Sequence, residues 1–153
     1  MSVDTMARLF ELKNIAGVKD ATGDPNRIDA TLKKLGPDFI QLTGEDGFAL
    51  EFNRRGGVGI ISVTANIAPK LCSDFQKYSK SKTDNEIKEA ERIDQILQPV
   101  HKSLFIESNP APVKYAAKLL GLCGDEIRLP LVKIKKETED QVKKALISAK
   151  LLS

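Results

Sequence analysis

Residues 39–63 read FIQLTGEDGFALEFNRRGGVGIISV. Two short apolar runs, at residues 39–42 and 59–63, flank a polar turn and a helical pattern, which is the order of a βαβ unit. Neither run alternates cleanly between apolar and polar residues, as is typical of parallel strands covered on both faces. Acidic groups at Glu45 and Asp46 favour a helix start, and Gly56-Gly57 favours the end of that helix. The stretch therefore predicts an α/β fold with a parallel sheet.

The same unit recurs on both sides of this stretch. An apolar run at residues 15–18 precedes Asp24-Pro25, where a capping carboxylate stands before a proline at the first helical position. Ala68-Pro69 sets a further helix start after the third run. Residues 1–13 are predicted to form a leading helix, with one apolar face made of Val3, Met6, Leu9 and Leu12.

Strand patterning stops after residue 82, and the remaining chain is predicted to form about three helices. The first begins at a Thr83–Glu86 capping box, the second follows Asn109-Pro110, and the third begins at a Thr138–Gln141 capping box. Three strands cannot close a barrel, because a complete (β/α)8 barrel takes about 250 residues. The chain is therefore either a small open α/β domain or a piece of something larger.

Composition excludes several classes of protein. The 153 residues carry a net charge of +3 with interleaved signs, which disfavours a nucleic-acid partner. No apolar run approaches the roughly 20 residues of a membrane span, and no signal peptide is visible. Cys72 and Cys123 form no CxxC pair, which favours reduced thiols and a cytoplasmic location. A single histidine and no cysteine cluster argue against a metal site.

Lys19 is the first candidate for chemistry, within residues 17–23, GVKDATG. It stands at the C-terminal end of a predicted strand, where barrels and open α/β sheets bind their ligands. Removing a lysine from water favours its neutral amine, which attacks carbonyls, so Lys19 is a candidate Schiff-base lysine. The alternative is a lysine that turns toward water, paired with Asp20.

The other candidates have structural interpretations. Gly56-Gly57-Val58-Gly59 lacks the endings of phosphate and dinucleotide loops and is interpreted as a helix cap that leads into a strand. His101 is expected in a packing or solvent-facing position, and Glu45 and Asp46 are interpreted as helix-start charges. Cys72 and Cys123 are expected to pack inertly. Asn109 has two interpretations, as the cap of the following helix or as a supporting residue of an active site.

Four motifs in order resemble the second half of the dihydrodipicolinate synthase family of Schiff-base aldolases. The motifs are GVKDATGD, LTGEDGFAL, GGVGIISVTANIAP and ESNPAPVKYAAKLLG, and the resemblance runs from the first helix almost to Ser153. The resemblance implies the last three βα units of a (β/α)8 TIM barrel, over residues 1–82. It implies a C-terminal helical domain over residues 83–153.

The resemblance also implies a reaction. Lys19 matches the lysine that forms an imine with pyruvate, and Gly44 and Ile61 match positions whose backbone lines the pocket. The enamine then attacks aspartate-4-semialdehyde, a lyase reaction of lysine and diaminopimelate biosynthesis that needs no metal and no organic cofactor. Asn109 matches a stretch near the open end of the barrel, which makes it a candidate supporting residue.

Groups that the family takes from its first half are missing here. The sequence contains no Gly-Gly-Thr-Thr-Gly-Glu segment, and its only tyrosines, Tyr78 and Tyr115, fall in helical patterns. We therefore expect a truncated half that is inactive alone. The alternative is a non-catalytic fragment, or an interaction module that completes a barrel with a separate N-terminal half. A homo-oligomer is the other expected assembly.

Overall fold

A computed structural model describes all residues, 1–153, with seven α-helices and one three-stranded parallel sheet. The strands are β1 (Gly17–Asp20), β2 (Ile40–Thr43) and β3 (Gly59–Ile60). The helices are α1 (Val3–Phe10), α2 (Pro25–Leu35), α3 (Ala49–Arg54), α4 (Pro69–Ser79), α5 (Asp84–Ser103), α6 (Ala111–Leu119) and α7 (Lys136–Ser148). The α/β class is confirmed, and the chain divides into two compact units, Met1–Ser62 and Val63–Ser153.

The first unit contains the whole sheet, in the order β1-β2-β3. Parallel pairing aligns Gly17 with Ile40 and Lys19 with Leu42, and it aligns Leu42 with Gly59. One face of the sheet is covered, since Gln41 is buried and its side-chain amide donates to the backbone carbonyl of Ile28 in α2 at 3.4 Å. Helix α2 also packs against α1 and α3.

The opposite face of the sheet is open. Ile40 and Ile61 are 42% and 48% exposed, although both are large apolar side chains. The expectation that both faces are covered is therefore wrong for this chain. The physical reason is that the helices of this unit pack on one face of the three strands, and no further layer of this unit covers the other face.

Local chemistry explains where the helices of this unit begin and end. The Asp24 carboxylate accepts the Asn26 N–H at 2.9 Å, and Pro25 occupies the first turn of α2, as predicted. Gly56 ends the segment after α3 with a φ of +104°, a conformation that side chains rarely adopt. Helix α1 ends at Phe10, so Leu12, which was predicted on the apolar face of this helix, lies beyond it and is 51% exposed.

The second unit is helical. Helix α4 packs on α5, and α7 packs on both α5 and α6. Val100 of α5 and Leu104 just after this helix are buried in a core that α6 and α7 complete. The fully or nearly fully buried members of this core are Ile67, Val100, Leu104, Val113, Ala116, Ala117, Val142, Ala145, Leu146 and Ala149.

Thr83 precedes α5 as predicted, but its side chain bonds the Glu86 carboxylate instead of a backbone N–H of the helix. Two other predicted caps in this unit were wrong. Helix α7 begins at Lys136, so Thr138 lies within the helix rather than at its cap. The α7 start is instead held by Glu107, whose carboxylate accepts the Lys135 N–H at 2.9 Å. The residue that precedes α6 is Pro110, so Asn109 does not cap that helix either. The predicted boundary at residue 82, between the barrel part and the C-terminal helical domain, stays a prediction.

Candidate active site

Lys19 is the third residue of β1, and its side chain is exposed. The sheet register places it beside Leu42 on β2, which in turn pairs with Gly59 on β3. Paired residues of parallel strands lie on the same face of a sheet, and so do residues two positions apart along a strand. Lys19 therefore shares the open face with Gly44 and Ile61, which follow Leu42 and Gly59 by two residues.

Gly44 lies directly against the Lys19 side chain. A Cβ atom built on Gly44 would lie 2.5 Å from Lys19 Cε and 3.1 Å from the Cβ of Ala21. The Gly44 N–H donates to the Asp20 carbonyl at 2.8 Å, which continues the β1–β2 ladder by one residue and fixes this approach. Only glycine leaves the Lys19 methylene chain in its present position.

Ile61 extends the ladder on the other side of β2. Its N–H donates to the Thr43 carbonyl at 2.9 Å, one residue beyond the last paired position of β3. The carboxyl ends of all three strands therefore meet at one edge of the sheet, where α/β proteins bind ligands. The predicted site residues of the first unit are together there, and the roles assigned to them stay predictions.

Asp20 secures the turn that follows Lys19. Its carboxylate accepts the Thr22 N–H at 2.8 Å and the Arg27 Nε–H at 2.8 Å, and the Thr22 hydroxyl also donates to it. Partial burial raises the pKa of Asp20, but these hydrogen bonds outweigh burial and hold the pKa below its usual range. Pairing of Lys19 with Asp20 is wrong, because Arg27 is the cation that bonds this carboxylate, whereas the exposure of Lys19 agrees with a lysine that turns toward water.

Asn109 belongs to the second unit and is exposed. The supporting role that the sequence assigned to it stays a prediction. Tyr78 and Tyr115 lie in α4 and α6, as their helical patterns indicated. Gly57 packs closely on Phe52 just before β3, which confirms the structural interpretation of the glycine-rich stretch.

Sequence reasoning missed several contacts. Asp46 is 2% exposed and accepts a hydrogen bond from the Ser62 hydroxyl, so it is more than a helix-start charge. His101 is buried as packing predicted, and its Nδ1 lies 2.7 Å from the Thr64 hydroxyl oxygen. Cys72 is buried, but Cys123 is exposed in the turn between Gly121 and Gly124, so its predicted packing position was wrong.

No group of three or more His, Cys, Asp or Glu side chains is arranged to hold a metal ion. No helix combines the length and apolar character that crossing a membrane requires.

Comparison with known proteins agrees with the motifs around Lys19. The profile of the Dihydrodipicolinate synthetase family matches residues 1–149. This chain belongs to the dihydrodipicolinate synthetase family. Its relatives in the family include the 4-hydroxy-tetrahydrodipicolinate synthase of Pelagibacter ubique, which is 71% identical over 99% of this chain and 52% of its own length. The synthase of Parvibaculum lavamentivorans is 52% identical over all of this chain and 52% of its own length.

Solved structures of the family share the fold. A chloride-inhibited dihydrodipicolinate synthase from Acinetobacter baumannii, complexed with pyruvate, superposes with a TM-score of 0.91 at 38% identity. The match covers 99% of this chain and 51% of that structure. The chain thus spans about half the length of the family members it matches, as the resemblance predicted.

Proposed function

We propose that this chain carries the Schiff-base lysine of a 4-hydroxy-tetrahydrodipicolinate synthase, a lyase of lysine and diaminopimelate biosynthesis. The observation that carries the proposal is the contact of Gly44 with Lys19 at the carboxyl ends of three parallel strands. The family membership supports the same assignment. We place the reaction in the cytoplasm, where the free cysteines Cys72 and Cys123 stay reduced.

The chemistry begins at the Lys19 amine. The neutral amine attacks the C2 carbonyl of pyruvate, and loss of water leaves an imine. Loss of a C3 proton gives an enamine, which attacks the aldehyde carbon of aspartate-4-semialdehyde. The amino group of the semialdehyde then displaces Lys19 as the ring closes to 4-hydroxy-tetrahydrodipicolinate. The reaction needs no metal and no organic cofactor.

The backbone around Lys19 suits the first of these steps. The Gly44 and Ile61 peptides follow the strands at the same edge and the same face as the lysine. We assign them to the wall of the pyruvate pocket, with Asn109 as a supporting residue. The strands are then the last three βα units of the barrel, and residues 83–153 are its helical appendage.

The proton-transfer groups of the full reaction are not supplied by this sheet. Such groups each contribute about 10²- to 10⁴-fold to a rate. The chain has only two tyrosines, and both lie in helices of the second unit. We therefore expect imine formation at Lys19 but little or no condensation by the chain alone.

Trapping with pyruvate and sodium borohydride tests the assignment. Intact mass and peptide mapping should locate one reduced adduct on Lys19, and Lys19→Ala should abolish it. Lys88→Ala, which removes an exposed lysine of α5, is the matched control and should retain the adduct. No adduct in the parent chain, or equal labelling of many lysines, contradicts the proposal.

A second candidate function is an interaction module that completes a barrel with a separate half. The open sheet face favours it, since Ile40 and Ile61 are exposed apolar residues of this face, and the outer strands β1 and β3 each pair on one side only. The test is to mix the chain with the part of the 71%-identical relative that it does not match. A 1:1 complex with condensing activity supports a split synthase, and a 1:1 complex without activity supports the module. Self-association alone supports a homo-oligomer.

A further inference from the structure

A closed ring of covalent and hydrogen bonds joins the ends of β2 and β3. The Ile61 N–H donates to the Thr43 carbonyl at 2.9 Å, and the hydroxyl of the next residue, Ser62, donates to the carboxylate of Asp46. The chain from Thr43 to Asp46 closes the ring. The backbone of Gly44 is part of this ring, and so is the backbone of Ile61.

Two further bonds limit the freedom of this ring. The Thr43 hydroxyl accepts the Glu45 N–H at 3.0 Å, which fixes the turn after β2. The Gly44 N–H donates to the Asp20 carbonyl at 2.8 Å, which ties the ring to the strand that carries Lys19. The turn that brings Gly44 against Lys19 is therefore bonded both to β1, through Asp20, and to the residue after β3, through Thr43.

The Asp46 carboxylate is the unusual member of this ring. A carboxylate placed only to favour a helix start lies in water, where its charge costs little. Asp46 is instead 2% exposed, and burying a carboxylate is unfavourable unless it accepts hydrogen bonds. One hydrogen bond to the buried carboxylate comes from Ser62, which lies 16 residues further along the chain.

We propose that Asp46 and Ser62 are positioning residues of the lyase site, which act through the backbone of Gly44 and Ile61. The inference rests on the proposed function of Lys19. Neither side chain needs to touch pyruvate. Their bond sets the separation of the two peptides that line the pocket, and thereby sets how pyruvate meets the Lys19 amine.

Ser62→Ala removes the bond while leaving the backbone intact. We expect the pyruvate concentration for half-maximal borohydride trapping to rise about tenfold, because loss of a hydrogen bond to a charged group releases both peptides. Amide hydrogen exchange at Gly44 and Ile61 should also become about tenfold faster, while the Leu97 amide in α5 keeps its rate. Ser62→Thr retains the hydroxyl and should recover most of both properties.

Ser73→Ala is the control, since Ser73 is an exposed serine of α4, and it should match the parent in every measurement. Unchanged trapping, or unchanged exchange at Gly44 and Ile61, overturns the inference. If Ser62→Ala also accelerates exchange at Leu97, the chain has loosened globally. Asp46→Asn is then measured in its place, by the same pyruvate concentration for trapping and the same exchange rates. If the parent forms no adduct, the proposed function fails, and the exchange rates alone decide whether the bond holds the two peptides.

Discussion

At the scale of single residues, Gly44 matters because it has no side chain at the position that Lys19 occupies. The Lys19 methylene chain passes where a Gly44 side chain would otherwise lie. This contact does not depend on a positive φ, unlike the requirement for glycine at Gly36 or Gly56. The site therefore needs glycine for packing rather than for backbone freedom, and that need predicts a specific defect.

Gly44→Ala should displace the Lys19 side chain without unfolding the chain. Its Cβ would lie 2.5 Å from Lys19 Cε, and the lysine can move because it is flexible and exposed. We expect the rate of borohydride trapping to fall at least about tenfold, since misplacing a reacting group is costly to rate. Gly124→Ala is the control, because its Cβ would displace only the end of the Glu126 side chain. Parent-like trapping by Gly44→Ala would contradict this account of the site.

Asp20, at the end of the same strand, makes the free energy of unfolding depend on pH. Its pKa is held below the usual value in the folded chain, so the carboxylate binds fewer protons there than in the unfolded chain. Its contribution to the free energy of unfolding is fully present above about pH 4 and is lost as the pH falls through the folded pKa. The stability difference between the parent and Asp20→Asn should be larger at pH 7 than at pH 3.

Urea unfolding at the two pH values measures this difference. Asp38→Asn is the matched control, because Asp38 is exposed and its side chain makes no hydrogen bond or ion pair. An Asp20→Asn difference that stays constant between pH 7 and pH 3 would show that the bonds from Thr22 and Arg27 do not favour the charged form.

At the scale of elements, helix starts were predictable where the capping group is a sequence neighbour. Asp24 caps α2 two residues ahead of its partner N–H, and Pro69 begins α4 as the Ala68-Pro69 pair indicated. The predicted start of α7 was wrong because the N–H of Lys135, which precedes the helix, is bonded by Glu107, 28 residues earlier in the chain. No local pattern encodes such a partner, so the box at Thr138 was the nearest signal available.

Removal of the Glu107 side chain should loosen the first turn of α7. The Thr138 hydroxyl and the Lys135 N–H bond this carboxylate and hold its pKa below the usual range. Glu107→Ala should speed amide exchange in the first turn of α7 about tenfold and lower the melting temperature by about 3 °C. Glu107→Gln keeps an acceptor and should lose less.

Glu11→Ala removes an exposed carboxylate at the end of α1 and serves as the control. Exchange in α7 that is equal for Glu107→Ala and Glu11→Ala would show that the helix is capped without Glu107.

At the scale of the whole molecule, the sequence pattern predicted the parallel sheet and the strand ends at which Lys19, Gly44 and Ile61 lie, whereas the roles of these residues stay predictions. It could not predict the bond between Asp46 and Ser62, because pairing of β2 with β3 is what brings residues 16 positions apart together. It also could not predict which sheet face would stay open. Uninterrupted apolar runs look the same whether the second face meets helices or the interior of a barrel.

A substitution of Ile40 tests whether a separate half of the barrel binds the open face of the sheet. It lies on the same face as Lys19 and Leu42 and is 42% exposed, and burying such a side chain is favourable by roughly 1.5–3 kcal/mol. Ile40→Ser should therefore weaken binding to the unmatched part of the 71%-identical relative by at least about tenfold, measured by sedimentation or titration calorimetry. Ile147→Ser, at a 47% exposed isoleucine of α7, is the matched control and should bind like the parent. Equal weakening by both changes would mean that the partner does not cover the sheet, and the barrel-completion function would then have to be abandoned in favour of another surface.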